Sequence, residues 1–324
     1  MHSISELQNI IRKSFDPEVV KREPSELYDP IAYTLNLGGK RIRPLLVLLG
    51  CDLFRGDIEK AVPAAIAIEL FHNFTLLHDD IMDHAPLRRG KETVYKKWNT
   101  NVAILSGDTM FALACVHLSQ TDPDVLPLAL SEFTKTARLV CEGQQYDMNF
   151  ETLNVVSISD YIEMIRLKTA VLIGCSLKLG AILAKAPPAE TERIYSFGEN
   201  IGMAFQLQDD LLDIFGDEQK FGKEIGGDIL SGKKTFLLLK ANEIAPENVR
   251  SELNQCFSNK LIPDEEKINR VKKVYQLLKI KELTLEEIRK YFSKALQSLD
   301  DINEYETSKK VLRSFANELL KRDF

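Results

Sequence analysis

Several things are scarce in this sequence, and each scarcity removes a class of protein. The five cysteines, Cys51, Cys115, Cys141, Cys175 and Cys256, are scattered, odd in number and form no CxxC. That pattern suits a reducing compartment and small apolar packing roles. No run reaches the roughly 18 uninterrupted apolar residues of a membrane span. The nearest, from Val171 to Ala184, is broken by Lys178. Positive charge is not in excess: the net charge of −6 argues against a nucleic-acid surface. No stretch rich in Gly, Ser or Pro divides the chain. No alternating strand pattern stands out, and no repeat of roughly 20–50 residues recurs. The N-terminal stretch, MHSISELQNIIRKSF, is amphipathic and unlike a signal peptide.

What is present is helix. With 324 residues, 44% of them hydrophobic, the chain can bury a large core. The expected architecture is all-α: a single domain over residues 1–324, built as one large helical bundle around a central cavity. The expected setting is cytoplasmic, with no membrane span and no nucleic acid. Ser3 and Glu6 form a capping box, with Ile4, Leu7, Ile11 and Phe15 at helical spacing after it. Pro17 would end that helix. Further helices are expected from Ser25 to the Gly38–Gly39 pair, from Arg43 to Phe54, and from Ile58 to His84. A polar, basic loop follows from Ala85 to Lys91, then helices from Asn101 to Ser119 and from beyond Pro123 to Tyr146. Ser159 to Ala184 reads as one long apolar helix, and Thr191 to Phe215 as the next. Thr284 with Glu287 reads as a second capping box.

The chemistry is concentrated in two stretches. ELFHNFTLLHDDIMD is strongly apolar and ends in Asp79, Asp80 and Asp83. On a helix Asp79 and Asp83 stand one turn apart on one face, with Asp80 about 100° round. Carboxylates on a buried helix are costly unless paired or bound to a metal. Taken alone, the stretch fits equally well a helix that surfaces there with solvated acids. QLQDDLLDIFGD repeats the spacing at Asp209, Asp210 and Asp213, again among apolar residues. Two such clusters offer hard oxygen ligands of the kind magnesium shares with substrate phosphates.

Basic segments flank both clusters. GGKRIRP carries Lys40, Arg41 and Arg43 after two glycines; PLRRG carries Arg88 and Arg89; RLKTA carries Lys168 and Thr169 inside an apolar run. FGKEIGGDILSGKKT carries Lys223 and Lys233. Arginine forks and lysine point charges suit phosphate oxygens. As a set they describe a site for two highly charged anions.

In that order, the motifs GGKRIRP, LLHDDIMD with RRGK, RLKTA, FQLQDDLLD and FGKEIGGDILSGKKT resemble those of trans-isoprenyl diphosphate synthases of the polyprenyl synthetase family. A single DDxxD is a weak signal; the ordered set is specific. The resemblance implies about three magnesium ions on the diphosphate of an allylic substrate. Asp79, Asp83 and Asp209 would be ligands, with Asp80, Asp210 and Asp213 completing the shell. It implies that Arg88, Lys168, Thr169, Gln206, Lys223 and Lys233 contact the allylic diphosphate. Lys40, Arg43, His72 and Arg89 would hold isopentenyl diphosphate. Asp79, Asp83, Asp209, Lys168 and Arg88 would carry catalysis. The implied reaction is magnesium-dependent head-to-tail condensation of isopentenyl diphosphate with dimethylallyl, geranyl or farnesyl diphosphate, releasing pyrophosphate. A homodimer is implied too. Basic loops are expected to close over the site, because water would quench an allylic cation.

In the same resemblance, the residues four and five before the first aspartate, Thr75 and Phe74, line the tunnel for the growing chain, with Phe71 further along. One aromatic at the fifth position without a second at the fourth implies a short product, geranylgeranyl or farnesyl diphosphate. Three other readings stay open at this point. His78–Asp79 with His72 nearby suggests an HD-type metal phosphohydrolase, which leaves the second DDxxD unexplained. A terpene cyclase would need no second diphosphate site. A non-catalytic subunit of a heteromeric prenyl synthase typically lacks intact aspartate motifs, and here both are intact.

Overall fold

The computed structural model describes residues 2–15, 22–216, 225–259 and 261–320, and helices dominate them. The first part runs α1 (Ile4–Ser14), α2 (Ser25–Asn36), α3 (Ile42–Leu53) and α4 (Ile58–Met82). A two-stranded hairpin follows, β1 (Leu87–Arg88) and β2 (Lys91–Glu92), then α5 (Val94–Lys97), α6 (Thr100–Leu118) and α7 (Leu126–Thr152). Next come α8 (Ile158–Ile165), a π-helical segment (Arg166–Ala170), α9 (Val171–Leu183) and α10 (Pro188–Phe215). Helices Gly227–Ser231, Phe236–Ile244, Glu247–Ser258, Asp264–Leu277, Ile280–Asp300 and Glu306–Leu320 complete the order.

Two compact units divide the chain. The first comprises Met1–Ala137, Cys175–Ile194 and Asn303–Val311; the second comprises Arg138–Gly174, Tyr195–Ile302 and Leu312–Phe324. The first unit is built on α4, which packs on α3 and α6. Ala61, Ala64, Ala65, Ala67, Ile68, Leu70 and Phe71 are all buried. Apolar residues therefore surround most of the helix, as a core helix requires. Asp57 caps it by accepting a hydrogen bond from the Glu59 N–H at 3.1 Å. The capping box of α1 forms as its sequence suggests, and Leu7, Ile11 and Phe15 are buried. Lys178, the charge inside the apolar α9, is met by Glu132 at 2.8 Å and Glu192 at 2.6 Å.

The second unit packs around α10. Met203, Ala204, Leu207, Leu211 and Ile214 recur at helical spacing and meet Tyr161, Met164 and Ile165 of α8. Leu237, Ala241, Val271, Val274 and Tyr275 close the same core.

Several local expectations need correction. The loop after the first acidic cluster contains the short hairpin. Strands of two residues are too short to show alternation. Its turn, Arg89–Gly90, has φ of 54° and 73°, as a tight hairpin turn needs. Ser159–Ala184 is not one continuous α-helix, because the π segment interrupts it. The helix after Pro123 runs on to Thr152. Thr284 caps nothing: it is buried inside Ile280–Asp300, and its hydroxyl donates to the Ile280 carbonyl at 2.8 Å. Local bonding within a helix satisfied a hydroxyl that the sequence pattern assigned to a cap. Pro17 and Lys223 lie outside the described residues. Among the described residues two helices, α4 and α6, are long and apolar enough to cross a membrane by length and composition. Of the apolar windows, 56% is buried in α4 and 33% in α6.

Candidate active site

Asp79 and Asp80 lie on the last turn of α4, and Asp83 is its C-cap. Asp80 is buried, and Arg88 of β1 donates from Nε to its Oδ1 at 2.7 Å. The same guanidinium stands 3.8 Å from Asp79. Burial pushes the Asp80 carboxyl up to about 6, against the pull of Arg88. The hairpin thus places Arg88 beside the helix end.

Two turns earlier on α4 is a second group of charges. Arg43 donates from Nη1 to His72 Nε2 at 3.0 Å. Burial, then Arg43, Arg89 and Arg88, hold the His72 imidazole well below its ordinary value. It is therefore neutral and available as the acceptor. Glu69, only 7% exposed, lies in the field of Arg43, Arg41 and Arg89, although burial still raises its carboxyl. Gly39, with φ of 139°, leaves room for Arg89: a Cβ there would stand 2.7 Å from the guanidinium. The four expected residues do not all share one setting. Lys40 is exposed and lines a cavity of about 430 Å³ with Arg41, Gln8 and Arg12. Arg41 stacks over Phe15 at 4.7 Å.

The expected chain-length residues lie on the same helix. Phe71 is buried and Phe74 half-buried. Their rings are 5.6 Å apart, and both meet Phe111 of α6, at 5.9 and 5.6 Å. Phe133 of α7 stacks on Phe111 at 6.2 Å. The Thr75 hydroxyl donates back to the His72 carbonyl at 2.8 Å, so it presents little polarity outward. Phe111 and Phe133 are separated in sequence from any motif, and nothing in the sequence singles them out.

The second acidic motif is held differently. Asp210 is buried, and both its partners are neutral. Tyr161 of α8 donates its hydroxyl to Oδ2, and Gln206 donates its amide to Oδ1 at 3.0 Å. Burial first, then Asp228, push its carboxyl up to about 7, against Lys233, Tyr161 and Gln206. Gln206 in turn accepts the Thr169 hydroxyl at 3.0 Å. Asp213 uses its carboxylate to accept the Asp228 N–H at 3.0 Å, and its carbonyl accepts from Gly226 at 2.7 Å. It therefore pins the segment leading to Lys233. Lys168 meets Asp147 of α7 at 2.6 Å. Tyr161, Asp147, Glu69 and Asp228 are the polar residues here that the sequence did not mark.

Among the described residues no group of three or more His, Cys, Asp or Glu side chains converges on one point to cage an ion. The donors fit magnesium all the same: that ion takes one or two carboxylates and leaves its other positions to water and phosphate oxygens. The HD-type reading finds no support. His78 faces the Ile104 carbonyl at 3.2 Å and packs its ring edge on Phe74 at 4.7 Å.

Paired carboxylates, arginine and lysine on an all-α scaffold define an enzyme acting on diphosphates, a prenyltransferase. The chain belongs to the polyprenyl synthetase family, which it matches over residues 24–278. It is 38% identical over 322 residues to the geranylgeranyl pyrophosphate synthase of Geoglobus acetivorans, covering 99% of this chain and 98% of that protein. It is 40% identical over 255 residues to the short chain isoprenyl diphosphate synthase of Methanocaldococcus jannaschii, covering 78% and 76% of the two chains. Among solved structures, a crystal structure of a geranylgeranyl pyrophosphate synthase is 44% identical, with a TM-score of 0.95 and all of both chains covered.

Proposed function

We propose that this prenyltransferase makes geranylgeranyl diphosphate by successive head-to-tail additions of isopentenyl diphosphate, with farnesyl diphosphate as its close rival product. The observation that carries the reading is the presence of two kinds of anion site. The first is the pair of acidic motifs, suited to a metal-bound diphosphate. The second is the cationic group of Arg43, Arg89 and neutral His72, suited to a diphosphate held without metal. The relatives named as geranylgeranyl synthases support the product length.

The site residues take these roles. Asp79, Asp83 and Asp209 hold magnesium, with Asp80, Asp210 and Asp213 supporting them. When bound, magnesium neutralises charge on the leaving diphosphate as a Lewis acid. Lys168, Arg88 and Lys233 hold that diphosphate by charge, and Thr169 and Gln206 by hydrogen bonds. Arg43, Arg89, His72 and Lys40 hold isopentenyl diphosphate. The allylic carbon–oxygen bond breaks to give an allylic cation and pyrophosphate. The isopentenyl double bond attacks C1 of that cation, forming the new carbon–carbon bond. The attack leaves a tertiary cation at C3 of the isopentenyl unit, and loss of a proton from C2 to the departing pyrophosphate forms the new double bond. Phe74, backed by Phe71 and Phe111, limits the length of the growing chain.

The two units act as one catalytic domain, and the protein is cytoplasmic, with α4 and α6 as core and interface helices. It forms a homodimer. The exposed apolar side chains Leu105 and Val116 on α6 and Leu128 and Leu130 on α7 support that assembly. Incubation with magnesium, labelled isopentenyl diphosphate and each allylic primer, followed by chromatography of dephosphorylated products, tests the reading. Chains of thirty carbons or more would overturn the product assignment. Release of inorganic phosphate without chain growth would overturn the reaction.

A further inference from the structure

Lys168 sits in the π-helical segment Arg166–Ala170. Single-turn π segments inside α-helices occur often at functional sites. Here the segment is anchored by its own polar side chains. Arg166 reaches Glu163 at 2.7 Å and Glu199 at 3.0 Å. Thr169 reaches Gln206 at 3.0 Å. Lys168 reaches Asp147 at 2.6 Å.

The lysine contact is built from two features of α7. At Gly143 a Cβ would stand 2.3 Å from the Lys168 backbone nitrogen, so the two backbones touch there. Asp147 follows four residues later, on the same helix face. Close backbone contact at Gly143 thus brings the Asp147 carboxylate beside the Lys168 side chain. The pair is partly shielded, with side chains 24% and 18% exposed. It is neither a solvated surface pair nor a sealed one.

We propose that Asp147 is a positioning residue for the allylic diphosphate site: its carboxylate fixes the Lys168 ammonium in the orientation that receives the diphosphate. The proposal rests on the reading of Lys168 as a ligand of that diphosphate. A lysine ammonium is a point charge on a flexible four-carbon stem. It has three N–H donors. One donated to Asp147 fixes the orientation of the ammonium about the end of its stem. Asp147 acts through Lys168 and does not touch substrate.

The test is steady-state kinetics on Asp147→Asn, Asp147→Glu, Lys168→Ala and the Asp147→Asn/Lys168→Ala double variant, with thermal melting of each. Asp147→Asn should lower kcat/KM for the allylic substrate by ~10- to 100-fold, the scale of a small misplacement of a catalytic group. The Michaelis constant for isopentenyl diphosphate should stay put. Asp147→Glu should recover most of the loss. In the Lys168→Ala background Asp147→Asn should add nothing further. A silent Asp147→Asn beside a damaging Lys168→Ala would overturn the positioning role alone. Normal allylic kinetics in Lys168→Ala would overturn the reading of Lys168 and the positioning role with it. Equal losses for both substrates with a lowered melting temperature, or additive losses in the double variant, would make Asp147 a structural residue and end the proposal.

Discussion

Asp80 and Asp210 hold the same place in their DDxxD motifs, and both are buried. Their company differs. Asp80 is met by a guanidinium, Arg88. Asp210 is met by a hydroxyl and an amide, Tyr161 and Gln206. A directly bonded cation offsets a buried negative charge with a full opposite charge, whereas neutral donors offset it only with partial charges. Burial pushes the Asp80 carboxyl up to about 6, and burial together with Asp228 pushes Asp210 up to about 7. The first motif carries its own counter-charge. In the second, the buried Asp210 is bonded to uncharged groups, and Lys233 acts on it through its field.

If both motifs nevertheless serve one metal-bound diphosphate, their leading aspartates should matter alike. Asp79→Ala and Asp209→Ala should each lower turnover by ~10²-fold or more, a few kcal/mol of transition-state stabilisation. Near-normal turnover of either variant at low magnesium would break the metal assignment.

The supporting partners should then separate the motifs. Arg88→Ala strands a buried carboxylate without its cation. The arginine is 27% exposed, so the full penalty of a buried pair is discounted to about 2–3 kcal/mol. Tyr161→Phe removes one hydrogen bond from an uncharged donor and should cost about 1–2 kcal/mol. Urea unfolding of both variants measures the difference. A larger loss for Tyr161→Phe than for Arg88→Ala would reverse the contrast.

His72 extends the comparison to the proposed isopentenyl site, where the histidine is kept neutral beside arginines. Its folded-state value lies well below the ordinary one. The unfolded chain therefore takes up a proton near pH ~6.5 that the folded chain refuses. That contribution to stability is present above about 6.5 and lost as pH falls below it. His72→Gln should flatten that loss between pH 7 and pH 5. Parallel pH dependences for the two proteins would show that His72 is not the titrating group.

The smallest effect on rate is expected from Phe74→Ala, which touches neither acidic motif. It should open space at the aromatic group and lengthen products by one or more five-carbon units while turnover stays near wild type. An unchanged product distribution from an active variant would remove Phe74 from chain-length control.

Much of this was legible in the sequence. The all-round apolar character of α4 announced a core helix, and the DDxxD spacing with its flanking basic motifs announced the chemistry. Periodicity could not reveal the π segment, because one extra residue leaves an apolar run looking apolar. Nor could it show that Asp213 spends its carboxylate on the Asp228 N–H. Tyr161 and Asp147 escaped for a different reason. Each supports a motif residue from another helix, and a contact between helices leaves no fixed spacing in the chain. Phe111 and Phe133 escaped likewise, since a buried aromatic reads as ordinary packing until its neighbours are known.

The π segment also bears on how this chain can change its length. A helix turned by about 100° per residue loses that rotation when one residue is removed. A deletion within Arg166–Ala170 would convert the segment to regular α-helix and turn Lys168 and Thr169 relative to the rest of it. The buried Val171, Leu172 and Ile173 would still be apolar on every side, so the hydrophobic pattern would survive the change. Thr169 would swing away from Gln206, and Lys168 from Asp147. The segment is therefore intolerant of gaining or losing a single position, even where the hydrophobic pattern would allow it.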